Sequence, residues 1–222
     1  MNWNVTAAIV IVALVLGGSQ DLLAQGSSDM CIECHRALDS EPLAGPVEHF
    51  EADIHAAAGF GCVDCHGGDA SIAGPGGMDP ALGFLGAPRG EEVIVVCGRC
   101  HSDGEFMRQF NPSLRVDQVA EYWTSRHGQR LAATGDTAVA TCSDCHAPHG
   151  IRPASDPSSS VYPPTVASTC GRCHDDAARM GAFDIPVDQH EKYERSVHRE
   201  AMVDGGDISA PTCNDCHGNH GA

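Results

Sequence analysis

All twelve cysteines of this chain lie in C-x-x-C pairs, and histidine follows every pair at once. The six motifs are Cys31-Cys34-His35, Cys62-Cys65-His66, Cys97-Cys100-His101, Cys142-Cys145-His146, Cys170-Cys173-His174 and Cys213-Cys216-His217. Histidine is 13 of 222 residues, so chance does not put one after all six pairs. A shared chemistry must use two thiols and an imidazole at this spacing.

Three chemistries compete. A disulfide framework suits an exported chain but gives histidine no role. Zinc ribbons pair two C-x-x-C knuckles per metal and need no histidine beside each one. Covalent attachment of haem c uses all three residues, with two thioethers and a proximal iron ligand. The pattern therefore predicts six haem c groups, one on each motif. The proximal ligands are His35, His66, His101, His146, His174 and His217.

Such attachment takes place outside the cytoplasm in bacteria, so an export signal is expected. Val5 to Leu16 is an apolar run of twelve, the length of a signal-peptide core and short for a membrane span. Residues 1–24 read as a signal peptide cleaved near 19–25, although no Lys or Arg precedes the run. An uncleaved anchor is the alternative, and it is the one route to membrane association. No cysteine follows the run at once, which excludes a lipoprotein anchor.

Only 5% of the residues are aromatic, while Gly and Pro number 25 and 13. A chain of this length ordinarily builds its core from side chains. Here the porphyrins replace much of that core. The expected fold is mainly α with extensive irregular loop, little or no β-sheet, and short helices after the motifs. The unloaded chain should be largely unfolded.

An internal repeat divides the chain. Residues 116–150 align without a gap on 187–221, at an offset of 71. Tyr122 matches Tyr193, Ser125 matches Ser196, His127 matches His198, and His149 matches His220. Each copy follows a C-G-R-C-H motif. A fainter first copy has Phe50 and His55 in the tyrosine and histidine positions, with Asp69 replacing the trailing histidine. Three two-motif modules result, at 31–70, 97–150 and 170–221, with linkers at 71–96 and 151–169. The Gly-rich stretch 67–90 reads as irregular loop, and 151–169, with four prolines, reads as an extended connector. Helices are predicted over 116–133 and 187–203, with the histidine near a helix end.

Seven histidines remain as distal ligands. Three occupy the repeated [FY]-x4-H position: His55, His127 and His198. Two occupy C-x-x-C-H-x-x-H: His149 and His220. The sixth is His49 or His190, each present in one module only. Asp64, Asp144 and Asp215 recur before the second cysteine and suit a helix start. Arg99 and Arg172 either pair with propionates or stand exposed. Met78, Met107, Met180 and Met202 read as packing residues, and Trp123 and the tyrosines as porphyrin-packing rings. Glu91-Glu92 and Asp175-Asp176 read as solvated.

These motifs, with Y-x4-H upstream and C-x-D-C-H-x-x-H-G downstream, resemble the multihaem c-type cytochromes with doubled C-x-x-C-H motifs, which transfer electrons in the periplasm or at the cell surface. The stretch HGIRPASDPSSSVYPPTVASTCGRCH is similar to their linkers. The resemblance covers about residues 31–221. It implies bis-histidine, low-spin haems in close contact that pass single electrons. In similar proteins the chain often runs on past N-H-G-A into further motifs; here it stops at Ala222, so either the gene is truncated or His220 closes the protein.

The expectation is therefore an exported electron-transfer protein and not an enzyme. A multihaem reductase of nitrogen or sulfur oxyanions is the alternative; it needs an open distal position. A quinol-oxidising, membrane-anchored subunit is another, and it needs an N-terminal span. The formal net charge of -17 argues against nucleic acid and anionic membrane as partners and for redox proteins with basic docking patches. Oligomers or filaments are allowed but not required.

Overall fold

The computed structural model describes residues 29–222, so the expected signal peptide lies outside the described residues. Among these, the regular elements are short helices and single turns, with no strand. Short helices follow the first motif of each module, as expected from the sequence, and each motif is also carried on a helix itself. A C-x-x-C pair faces one way only if the backbone between the thiols is helical, and the histidine then falls one position further round the same turn.

Two kinds of motif helix alternate. The first motif of each module ends a helix: α1 (Met30–Arg36), α5 (Glu91–His101) and α10 (Pro163–His174). The second motif of each module is the whole of a five-residue helix: α4 (Cys62–His66), α9 (Cys142–His146) and α14 (Cys213–His217). The recurrent aspartate has the helix-start role expected of it. Asp64, Asp144 and Asp215 sit at the third helical position and accept the backbone N–H of Gly61, Thr141 and Thr212 at 2.7–2.8 Å.

Two linker expectations change. Helix α10 begins inside the expected extended connector, because Pro163 and Pro164 occupy its first two positions, where a missing N–H costs nothing. Helix α5 likewise begins at Glu91, within the expected linker 71–96. The stretch before it is irregular, broken only by 3-10 turns at Gly74–Met78 and Pro80–Leu82.

Module 1 places α2 (Glu41–Phe50) and α3 (Ile54–Ala57) between its two motifs. In module 2, α6 (Gly104–Met107) follows the first motif. The single helix predicted over 116–133 is two, α7 (Gln118–Thr124) and α8 (Arg126–Thr134). Ser125 divides them. It is 1% exposed, its hydroxyl donates to the Tyr122 carbonyl at 2.6 Å, and it accepts the Gly128 N–H at 2.9 Å as the α8 N-cap. Gly128 is required there, since a Cβ would lie 2.1 Å from the Tyr122 carbonyl oxygen. Module 3 repeats the plan with α11 (Ala177–Met180), α12 (Gln189–Glu194) and α13 (Val197–Arg199), the last running into a π turn over Glu200–Asp204. The histidine thus opens a second helix instead of closing the first.

The side-chain core is small. Ile94, Tyr122, Leu131 and Val139 form one buried cluster, edged by Val119 and Trp123. Tyr122 is anchored there by its hydroxyl, which donates to the Ala140 carbonyl at 3.0 Å. It packs on Ile94, Leu131 and Val139. Met107, Met180 and Met202 are buried packing residues. Such a core is too small for a chain of this length, and much of its apolar burial must come from a bound group.

Candidate haem sites

The motifs are numbered 1 to 6 along the chain. Their thiols are near one another in the same order. Cys62 (motif 2) is pushed up to about 12, first by burial and then by Asp29 and the neighbouring Cys31 of motif 1. Cys65 is raised by burial, with Cys100 of motif 3 among its charged neighbours. Cys97 and Cys142 share a hydrogen bond, and that bond with burial raises Cys97. Cys145 is raised by burial and, further down, by Cys173. Cys170 and Cys213 share the last such bond, which with burial raises Cys170. The six motifs therefore form an unbroken row. All twelve thiols are free, as thioether formation requires.

The imidazoles come together in facing pairs. His55 faces His101 with ring centres 6.0 Å apart, and His66 faces His149 at 5.8 Å. His127 faces His174 and His146 faces His220, each at 6.2 Å. Two imidazoles that ligate one metal ion from opposite sides, each nitrogen about 2.0–2.1 Å from it, have ring centres roughly 6 Å apart. Each pair joins one motif histidine to one histidine outside the motifs. The residues fit a bis-histidine iron, and no group of three or more His, Cys, Asp or Glu suited to a zinc ion is assembled among the described residues.

The protonation states agree. His101, His127, His146 and His149 are all held below the ordinary histidine value, first by burial and then by the facing or neighbouring imidazole. Neutral imidazole offers iron its lone pair. Outer partners orient the rings. His66 Nδ1 lies 2.7 Å from the Gly86 carbonyl and His35 Nδ1 lies 3.1 Å from the Leu43 carbonyl, which leaves Nε2 for a metal. Asp53, 3% exposed, holds His55 Nδ1 at 2.9 Å and accepts the Ile151 N–H at 2.8 Å.

The structure separates the seven distal candidates. His55, His127, His149 and His220 face motif histidines. His49 does not: it packs beside Gly150, next to His149. His190 is spent on Asp175, with Nδ1 2.7 Å from its carboxylate, and packs over Gly171 where Val119 packs over Gly98 in module 2. His198 is exposed and, among the described residues, has no hydrogen bond, ion pair or ring contact from its side chain. Asp175 is therefore not merely solvated, and Asp176 caps α11 by accepting from the backbone of Ala178 and Arg179.

Sequence reasoning left open what Arg99 and Arg172 contact. Each reaches back to the preceding module, where Arg99 donates to the carbonyls of Asp64 and Cys65 and Arg172 to that of Asp144. Their recurrence inside C-G-R-C-H was the available signal.

Free helical thiols, adjacent histidines and facing imidazoles in a row define a c-type haem protein with several haem sites per chain. Residues 135–179 match the family described as Doubled CXXCH motif. The chain is similar to multiheme cytochrome MtrA of Shewanella baltica, at 25% identity over 182 residues, 66% of this chain and 52% of that protein. It is also similar to the C-type polyheme cytochrome OmcB of Geobacter sulfurreducens, at 28% over 123 residues, 54% of this chain and 14% of that protein. The matched region thus spans about half of the first relative and a small part of the second. No solved structure matches. The chain is a multihaem c-type cytochrome, holding haem c on C-x-x-C-H motifs.

Proposed function

We propose that this chain is an exported hexahaem electron conduit. Bound haem c supplies reversible one-electron redox chemistry at iron. The chain's own residues do the rest. Twelve cysteines would fix six sites in one row, and at four of them a second histidine faces the motif histidine and would leave a bound iron no open position for substrate. The observation that carries this reading is the order of the thiols, motif beside motif from Cys31 to Cys213 without a gap.

Distal ligation follows the facing pairs. Neighbouring modules exchange ligands: the histidine after Phe50 or Tyr122 serves the first motif of the next module, and the trailing histidine serves the second motif of the module before. His55 and His149 cross the first boundary, and His127 and His220 cross the second.

Attachment of haem c, which takes place outside the cytoplasm in bacteria, supports export, and among the described residues no helix is long and apolar enough to cross a membrane. The net charge of -17 suits docking of redox proteins through basic patches, so transfer between proteins should slow as salt rises. The test is the mass of the exported protein together with redox titration. Six haem additions and a staircase of one-electron steps are expected; fewer additions, or a constant open site that turns over oxyanions, would sink the conduit reading.

A further inference from the structure

The three modules share one N-cap position, and one of them fills it differently. Asp53 opens α3, Ser125 opens α8 and Ser196 opens α13, each two residues before the repeated histidine. All three cap by accepting a backbone N–H: that of His55 at 2.8 Å, Gly128 at 2.9 Å and Arg199 at 3.2 Å. Serine suffices for a cap. Asp53 therefore brings something the cap does not need, a carboxylate at a position 3% exposed. Aspartate is seldom buried this far unless a partner holds it.

Its two oxygens are aimed at the first module boundary. One lies 2.9 Å from His55 Nδ1, and the other accepts the Ile151 N–H at 2.8 Å. Among the described residues no Lys or Arg pairs with it. The Cys65 thiol, raised first by burial, senses Asp53 and Arg99 alike, so that arginine is near. Arg99 is exposed, however, and donates to the carbonyls of Asp64 and Cys65. Arg172 takes the same place at the second boundary, so the arginines do not distinguish the two. The carboxylate does. The Ser125 hydroxyl turns to the Tyr122 carbonyl, and the His127 ring has its hydrogen bond with the backbone of Ala222.

We propose that Asp53 is a positioning residue that lowers the potential of the iron held by His55 and His101, and so sets apart two boundary sites that otherwise match. The inference rests on the ligand exchange proposed above. With Nε2 on iron, His55 Nδ1 carries the proton and donates it to the carboxylate, which makes the imidazole a stronger ligand. A buried negative charge also favours Fe(III), which carries one more positive charge than Fe(II). Both effects act in one direction. The site of His127 and His174 lacks both, so an electron passing from motif 3 to motif 5 goes downhill.

The experiment is a redox titration of the holoprotein followed by electron paramagnetic resonance. Each of the two steps is assigned by the low-spin signal that His55→Ala or His127→Ala removes. In the native protein the His55 signal should still be oxidised where the His127 signal is half reduced. The expected difference in the oxidised-to-reduced ratio is about tenfold, or about 59 mV for one electron. Asp53→Ser installs the cap residue of the other two modules; it should raise the His55 step by about that amount and leave the His127 step in place. Asp53→Glu keeps the charge and should hold the two steps apart. Native steps that coincide, or that stand in the reverse order, overturn the proposal without any variant. So does an Asp53→Ser protein whose His55 step stays put, or whose His127 step moves as far. An Asp53→Glu protein shifted as fully as Asp53→Ser overturns it too, since shape and not charge would then set the potential. If His55→Ala removes no low-spin signal, the ligand exchange itself falls, which separates that failure from a failure of the role given to Asp53.

Discussion

First-motif and second-motif sites differ in how they are made and in how their imidazoles lie. The first-motif sites at His101 and His174 sit at the ends of helices of 11 and 12 residues and take their facing histidine from the module before. Their ring planes are crossed, at 86° and 70°. The second-motif sites at His66 and His146 sit on five-residue helices and take theirs from the module after. Their rings are nearly parallel, at 13° and 16°. In the first kind, the facing histidine lies in the first turn of a helix; in the second, it lies in a loop three residues past the motif. Facing imidazoles are thus held by two scaffolds, and ring orientation follows which scaffold supplies the second histidine.

The sharpest way to break this contrast is to remove one ligand of each kind. Crossed axial imidazoles give strongly axial low-spin iron and parallel ones give rhombic low-spin iron, so electron paramagnetic resonance separates them. His127→Ala should abolish one axial signal and leave the rhombic ones. His220→Ala should do the reverse. Either variant converting a signal of the other class would disprove the assignment of His127 to His174 and His220 to His146.

Acid should act next most strongly, and on both kinds. His101, His127, His146 and His149 are held below the ordinary value of 6.5, chiefly by burial. Below pH 6.5 the unfolded chain binds protons that these rings refuse when folded, so stability falls as pH drops through that value and is constant above it. A low-spin spectrum followed from pH 8 downward should hold steady to about 6.5 and be lost only in more acid solution. Loss beginning near pH 8 would contradict burial as the cause.

How much of this was legible beforehand depends on the period of the signal. The six motifs and the offset of 71 are local patterns; they gave the α class, and they singled out four histidines that face motif histidines in the structure. Which histidine faces which motif was not legible, because pairing between modules is a long-range property with no sequence period. The break at Ser125 was overlooked, since residues 116–133 lack Gly or Pro until Gly128 and read as one helix. The signal was the serine itself, three residues before a glycine whose N–H it caps. His49 and His190 were kept as candidates on a count of ligands, whereas packing placed one beside His149 and the other on Asp175.

Ser125 gives the third test, confined to first-motif geometry. Ser125→Ala removes the α8 N-cap and a buried hydrogen bond, which costs about 1–2 kcal/mol. The midpoint of thermal or denaturant unfolding should fall accordingly, with the axial signal of the His127 pair broadened and the rhombic signals intact. Equal damage to both classes would show that Ser125 supports the whole chain and not one site.

The smallest effect belongs to the second-motif scaffold and has the opposite sign. The residue after the motif histidine has a positive φ in all three: Gly67 at 69°, Ala147 at 52° and Gly218 at 90°. Two are glycine, which adopts this conformation without penalty, and one is alanine, which does not. The neighbouring His149 is also left-handed, at φ 68°, so the strained pair aims this ring at His66. Ala147→Gly relieves about 1 kcal/mol of left-handed strain, offset by about 0.4–1 kcal/mol of added freedom in the unfolded chain. The unfolding midpoint should stay level or rise slightly, with the rhombic signal unchanged. A drop of more than about 1 kcal/mol would mean that the alanine methyl packs against the bound haem, so that this position contributes to the site and not only to the turn that aims its ligand.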